Sequence, residues 1–158
     1  MTNGRILLMR HAEKTGDPMD PHLSSDGYAR AARLADYIPT TFGRPTFLIA
    51  ASESKHSTRC IETIKPLSAK TGISIDATFA DQDYGALSHQ LLSLPQYAAD
   101  DVLIVLCWHH GNIPSMANAL RAPKGSYPDP WDAQVFNKII VLKYSGSIPK
   151  VELSAEPF

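Results

Sequence analysis

The chain has 158 residues and a formal net charge of -1, with 44% hydrophobic and 20% charged residues. The length predicts one domain over residues 1–158, the composition argues against disorder, and the balanced charge excludes a strongly basic nucleic-acid binder. No apolar run reaches the roughly 18 residues of a membrane span or forms a signal-peptide core, and only two cysteines are present, so we expect a cytoplasmic protein without a disulfide framework.

Five short apolar runs, rich in β-branched residues, predict buried strands. They cover residues 6–9, 46–50, 73–77, 102–107 and 138–143. Because these runs are continuous rather than alternating, they are typical of parallel strands covered on both faces. The last of them is the candidate for antiparallel pairing.

Amphipathic patterns between the strands predict helices. The first helix is capped by Ser24 or Ser25 and ends before Pro39. The second ends at Gly72 and contains Pro66, where we expect a kink or an early stop. Two shorter helices are predicted, over residues 88–94 and after residue 111. This alternation predicts an α/β fold, a three-layer α/β/α sandwich with a mostly parallel central sheet.

Histidines follow two of the predicted strands. The first strand runs into Arg10-His11, and the fourth runs into His109-His110. Because the carboxyl ends of parallel strands meet at one edge of a sheet, we expect these imidazoles to share a pocket. The stretch after the second strand, which ends in Arg59, adds cations at the start of a helix. Two histidines and two arginines around a tetrahedral anion suit attack by a neutral imidazole on phosphorus, which requires no metal ion.

Four segments then resemble the motifs of one family. The run LLMRHAEK (residues 7–14) resembles the Arg-His-Gly signature of the histidine phosphatase superfamily, the phosphoglycerate mutase-like fold, with Ala12 in place of glycine. LSSDGYARA (23–31) resembles the Leu-Ser/Thr-x-x-Gly helix opening of that family. Residues 54–63 resemble its second arginine motif, and residues 102–111 resemble the segment of its second catalytic histidine. The motifs occur in the family's order, which makes the set far more specific than any one of them.

The resemblance implies a role for each matching residue. His11 is expected to be the phosphorylated nucleophile, with Arg10 and Arg59 binding the phosphoryl group. His110 is expected to join them because a glycine follows it, as in the family motif, whereas His109 is expected to line the pocket wall.

The general acid is expected shortly before the Tyr84-Gly85 turn. Asp81 matches the spacing in phosphoglycerate mutases better than Asp83, and a site without any protein acid is the third possibility. Contacts with the rest of the substrate are expected from three further residues: Lys14, His56 and Gly111.

The resemblance thus implies a phosphohydrolase that uses a phosphohistidine intermediate and no metal or other cofactor. Its expected substrate is a phosphorylated small molecule or a phosphoprotein, with no nucleic acid or membrane as partner. Mutase activity is disfavoured, because the longer mutase pattern after the first histidine is missing. The alternative is a phosphoanion-binding or scaffold protein of the same fold with weak turnover. A metallohydrolase is disfavoured because adjacent His109 and His110 on a strand point to opposite faces.

Overall fold

The computed structural model describes the whole chain, residues 1–158. It contains six strands: β1 (Gly4–Arg10), β2 (Phe47–Ala50), β3 (Ile75–Asp76), β4 (Val102–Trp108), β5 (Lys138–Lys143) and β6 (Lys150–Ala155). It contains four α-helices: α1 (Ser25–Phe42), α2 (Arg59–Thr71), α3 (Tyr84–Ser93) and α4 (Ile113–Ala119). Two short 3-10 helices, Asp81–Asp83 and Pro95–Tyr97, flank α3.

The strands form one mixed sheet in the order β3-β2-β4-β1-β5-β6. The pairs β3-β2, β2-β4 and β4-β1 are parallel, whereas β5 pairs antiparallel with both β1 and β6. This arrangement confirms the predicted α/β fold, the mostly parallel sheet and the antiparallel last predicted strand. Every residue of β4 is buried, as expected for a continuous apolar strand covered on both faces.

Helices cover the sheet in two pairs, and α1 packs against α2 while α3 packs against α4. The predicted Ser24 cap of α1 is present, and its hydroxyl accepts a hydrogen bond from the Gly27 amide at 3.1 Å. None of the helices combines the length and the hydrophobicity that a membrane crossing requires.

The predicted end of α1 before Pro39 and the predicted early stop of α2 at Pro66 are wrong. Helix α1 runs past Pro39 to Phe42, and α2 runs through Pro66 to Thr71. A proline removes one backbone hydrogen bond and crowds the preceding turn. In α2 this cost is outweighed because the buried face continues on both sides of Pro66, from Ile64 to Leu67.

Two further differences concern the edges of the sheet and the turn before α3. Strand β6 was not predicted, because it is an exposed edge strand without an apolar run. Helix α3 begins at Tyr84 rather than at residue 88, since the 3-10 turn Asp81–Asp83 leads directly into it. The consequence for the site is that Asp81 lies in a 3-10 turn directly before α3 and not in an irregular loop.

Candidate active site

The carboxyl ends of β1, β2 and β4 open into one cavity of about 660 Å³. All eight residues predicted for the site line it: Arg10, His11, Lys14, His56, Arg59, Asp81, His110 and Gly111. His109 and residues 52–55 are also part of the wall. A second cavity of about 480 Å³ lies between α3, α4 and residues 124–129 and contains none of the predicted residues. The structure therefore brings the predicted set together in one place.

His11 is buried at the end of β1, with only 2% of its surface exposed. Its backbone amide donates to the carbonyl of Trp108 at 3.2 Å, so the residue is fixed to the end of β4. Its Nδ1 lies 2.7 Å from the carbonyl oxygen of Ala12. Because a carbonyl only accepts hydrogen bonds, Nδ1 carries the proton and the lone pair is on Nε2. Burial, partly opposed by that hydrogen bond, lowers the pKa of His11 to about 3, which keeps the imidazole neutral at physiological pH.

The loop after His11 is held from two sides. The Ala12 amide donates to Thr63 Oγ1 at 2.9 Å, and this hydroxyl in turn donates to the Arg59 carbonyl at 2.7 Å. On the other side, a Cβ built at Gly27 would lie 2.2 Å from the Glu13 carbonyl oxygen. Only glycine allows this close approach, which explains why position 27 of the Leu-Ser-x-x-Gly segment is a glycine.

Arg10 and Arg59 each keep an unused hydrogen-bond donor. Arg10 Nη1 donates to backbone carbonyls of the 133–135 segment, and Arg59 Nη1 donates to the Asp20 carbonyl at 2.9 Å. The Nε atom of each arginine is buried and has no partner. Buried polar groups are nearly always paired, so two unpaired cationic donors in one cavity indicate a place for an anion. Burial and the charge of Arg59 lower the pKa of Arg10 to about 10, so it remains charged at neutral pH.

Asp81 supplies the complementary acceptor. Its Oδ2 accepts from Asn112 Nδ2 at 3.0 Å, and its backbone carbonyl accepts from Trp108 Nε1 at 3.1 Å. Its Oδ1 is buried without a partner. Asp83 is exposed and does not line the cavity, so of the two predicted candidates only Asp81 is part of its wall.

The two neighbouring histidines occupy different positions. The ring of His109 contacts that of His11 edge-on, with 5.3 Å between the centroids. Burial lowers the pKa of His109, but neighbouring Cys60 and the charge on Asp81 outweigh it, and the net shift is upward. Burial and the charges of Arg10 and Lys14 lower the pKa of His110. His109 therefore contacts the His11 ring and is the more readily protonated of the two neighbouring histidines.

The length of β4 differs from the prediction and sets the positions of both histidines. The strand continues one residue beyond the predicted end, and Trp108 pairs in register with Arg10. His11 and His109 consequently follow paired residues on adjacent parallel strands. Gly111, whose position favoured His110 in the motif, has open space around it, and a Cβ there would meet no atom within 4 Å.

The rim of the cavity is polar and exposed. Lys14, Lys55 and His56 are all exposed at this rim, and the lysines make no ion pair. The structure contains no group of three or more potential metal ligands. The cavity as a whole can hold a tetrahedral anion against the His11 ring, with an acceptor, Asp81, on its wall.

Comparison with known proteins agrees with this geometry. The family model of the histidine phosphatase superfamily (branch 1) matches residues 6–102, more than half of the chain. No curated protein matches.

Solved structures with the same fold include a protein histidine phosphatase, SixA, complexed with tungstate, at 12% identity and a TM-score of 0.71 over 96% of both chains. A mycobacterial glucosyl-3-phosphoglycerate phosphatase in complex with inorganic phosphate has 15% identity and a TM-score of 0.60, over 96% of this chain and 95% of that one. Phosphoglycerate mutase from Plasmodium falciparum has 16% identity and a TM-score of 0.59, over 99% and 92%. At these identities the structures establish the fold, and the family match establishes membership: the chain belongs to branch 1 of the histidine phosphatase superfamily.

Proposed function

We propose that this protein is a phosphohydrolase that cleaves a phosphomonoester or a phosphoramidate through a phosphohistidine on His11. The observation that carries the proposal is the set of buried polar atoms without partners. Three of these four atoms in the whole molecule are Arg10 Nε, Arg59 Nε and Asp81 Oδ1, and all three residues line the same cavity. A phosphoryl group bound there accepts from the two arginines, and its leaving group meets the carboxyl of Asp81.

The first step uses the tautomer of His11 described above. Asp81 enters this step with a proton on the unpaired Oδ1; Nε2 attacks phosphorus, the bond from phosphorus to the leaving atom breaks, and that atom takes the proton from Asp81. In the second step Asp81 takes a proton from water, the resulting hydroxide attacks phosphorus, and the P–N bond breaks. Inorganic phosphate leaves and His11 is regenerated. Charge on the phosphoryl oxygens is offset throughout by Arg10 and Arg59, so the scheme needs no metal ion.

We assign the second phosphate-binding imidazole to His109 rather than to His110. Its ring lies against His11, which places it beside a phosphoryl group bound to that nucleophile. His110 then belongs to the outer wall, together with Lys14 and His56, where it contacts the rest of the substrate. The cavity has the volume of an ordinary ligand pocket and an exposed polar rim, which accommodates a hydrophilic metabolite or a phosphorylated residue of a protein.

The test compares turnover of an aryl phosphate and of a panel of phosphorylated metabolites and phosphopeptides by wild type, His11→Ala and the control His89→Ala. His89 is exposed on α3, outside the cavity. We expect His11→Ala to lose at least about 10³-fold in kcat/KM, whereas the control retains wild-type activity. Rapid denaturation at alkaline pH followed by mass spectrometry should detect a phosphoryl adduct on His11.

Full activity of His11→Ala would refute the assigned nucleophile. Binding of inorganic phosphate by a wild-type protein that hydrolyses no member of the panel would support the alternative, a phosphoanion-binding or scaffold protein.

A further inference from the structure

A segment outside the matched motifs holds the guanidinium of Arg10. Residues 131–137 lie between α4 and β5, contain neither helix nor strand, and follow the part of the chain that the family model matches. The centroid of the Phe136 ring lies 3.9 Å from Cζ of Arg10. The same ring lies 6.2 Å from the His11 ring. This segment therefore contacts Arg10 from outside the set of residues that line the cavity, and local sequence motifs did not indicate it.

Backbone carbonyls of the same segment hold one end of the guanidinium. Arg10 Nη1 donates to the carbonyl oxygens of Ala133 at 2.7 Å and of Val135 at 3.2 Å. The indole Nε1 of Trp131, which is buried, also donates to the Val135 carbonyl, at 2.9 Å. The carbonyl that orients Arg10 is thus itself tied to the hydrophobic core. We name Ala133, Val135 and Phe136 the Arg10 clamp.

The clamp leaves one edge of the guanidinium unoccupied. Nε is buried without a partner, and Nη2 donates no hydrogen bond to the protein. Arginine binds phosphate best through two parallel N–H groups. Because Nη1 is occupied, the edge formed by Nε and Nη2 is the one that can do so.

We infer that the Arg10 clamp fixes the plane and rotation of the guanidinium so that its Nε–Nη2 edge receives the phosphoryl group, which makes Phe136 a positioning residue. This inference rests on the proposed function. The carbonyls set the rotation of the group about its own plane, and the flat ring of Phe136 sets its tilt. An arginine free to rotate would lose the bidentate geometry when the cavity empties after each turnover.

The two other arginine–aromatic contacts in the molecule differ from this one. Arg30 and Arg33 lie 5.5 and 5.7 Å from the centroid of the Phe158 ring. Arg30 is oriented by carboxylates instead. A stacked ring together with two carbonyls on the same guanidinium occurs at Arg10, the arginine beside the nucleophile.

The experiment measures binding of inorganic phosphate by calorimetry, and kcat and KM for the best substrate, in Phe136→Leu and Phe136→Tyr. The matched control is Phe47→Leu, another half-buried phenylalanine, at the opposite end of the parallel strands. We expect Phe136→Leu to weaken phosphate binding and to raise KM about 3-fold to 30-fold. Phe136→Tyr, which keeps the ring face, should restore binding to within about twofold of wild type, and Phe47→Leu should not change it.

A second comparison separates positioning from packing. In an Arg10→Gln background, titrated to saturation, Phe136→Leu should have no further effect on phosphate binding, because the ring acts through Arg10. An unchanged affinity of Phe136→Leu in the wild-type background, or the same loss in both backgrounds, would overturn the inference. If the wild type binds phosphate with this pattern but hydrolyses nothing, the proposed function fails and the clamp stands. If the wild type binds no phosphate, both fail.

Discussion

Two arginine clusters lie on either side of the loop that follows His11, and they use their donors in opposite ways. Arg30 donates from Nε and Nη2 to both carboxylate oxygens of Glu13, at 2.8 and 3.0 Å, and from Nη1 to Glu156 at 3.0 Å. Arg10 and Arg59 each have a buried Nε with no partner at all. We call the cluster of Arg30, Glu13 and Glu156 saturated, because each nitrogen of the Arg30 guanidinium donates to a carboxylate and so stabilises the fold. We call the cluster of Arg10 and Arg59 unsaturated, because each of these arginines keeps a hydrogen-bond donor free for a ligand.

The largest expected effects come from replacing one arginine of each cluster with methionine, which should lower activity in one case and stability in the other. Arg59→Met removes a cation without a carboxylate partner and should lower kcat/KM about 10²-fold to 10³-fold, whereas the loss of its hydrogen bond to the Asp20 carbonyl should lower the free energy of unfolding by only about 1 kcal/mol. Arg30→Met leaves Glu156 buried without its partner and should destabilise the fold by about 3 kcal/mol, with much smaller effects on phosphate binding. Chemical denaturation and steady-state kinetics on both variants measure these quantities. Equal losses of stability in the two variants would contradict the distinction.

The next effect concerns which histidine belongs to the unsaturated cluster. His109→Gln should lower kcat/KM about 10²-fold, because it removes the ring that contacts His11. His110→Gln should lower it less than about fivefold, as expected for a residue at the wall. Parallel kinetics on the two variants make the comparison, and each serves as the control for the other. The reverse order would restore His110, the residue that the family motif indicates.

A smaller effect tests the loop that connects the clusters. Gly27→Ala places a Cβ against the Glu13 carbonyl and should destabilise the protein by about 2–3 kcal/mol. Gly111→Ala meets open space and should change the free energy of unfolding by less than about 0.5 kcal/mol. Thermal and urea unfolding of the pair provide the measurement. A Gly27→Ala variant as stable as wild type would show that the α1 end can move away from the loop.

The sequence was sufficient to predict site residues that lie at the ends of strands or the starts of helices. It was not sufficient to predict contacts that come from segments far apart along the chain. His11, Arg10 and Arg59 follow or start regular elements, so a pattern along the chain was enough to bring them together. The preference for His110 rested on the glycine that follows it in the family motif, whereas the structure adds that β4 continues through Trp108, so that His109 directly follows the strand. The roles of the two imidazoles therefore stay predictions that the kinetics of His109→Gln and His110→Gln distinguish.

The contacts of Phe136 and Glu156 could not be predicted in the same way. Phe136 lies more than a hundred residues after Arg10, in a segment without regular structure, and only the fold brings the two together. Glu156 follows an edge strand that has no apolar run. Its pairing with Arg30 depends on where that strand places it. Pro66 shows a similar limit of prediction from local sequence. A proline normally ends a helix, but the packing of the buried face of α2 outweighs that tendency and the helix continues.

The smallest expected effect is a pH dependence of the free energy of unfolding, which Glu156 of the saturated cluster causes. Burial, partly opposed by Arg30, raises the pKa of Glu156 from its ordinary 4.5 to about 7. Between these two values the unfolded chain releases a proton that the folded protein retains, so the free energy of unfolding should fall as the pH rises from about 4.5 to about 7 and stay lower above it. We expect about 2 kcal/mol from this group, measured as the difference between urea unfolding of wild type and of Glu156→Gln across that range. Phosphate binding by Glu156→Gln should match wild type, because the carboxyl lies outside the cavity. A parallel loss of binding would mean that the two clusters are coupled through Glu13, and the separation of structural from ligand-binding arginines would then fail.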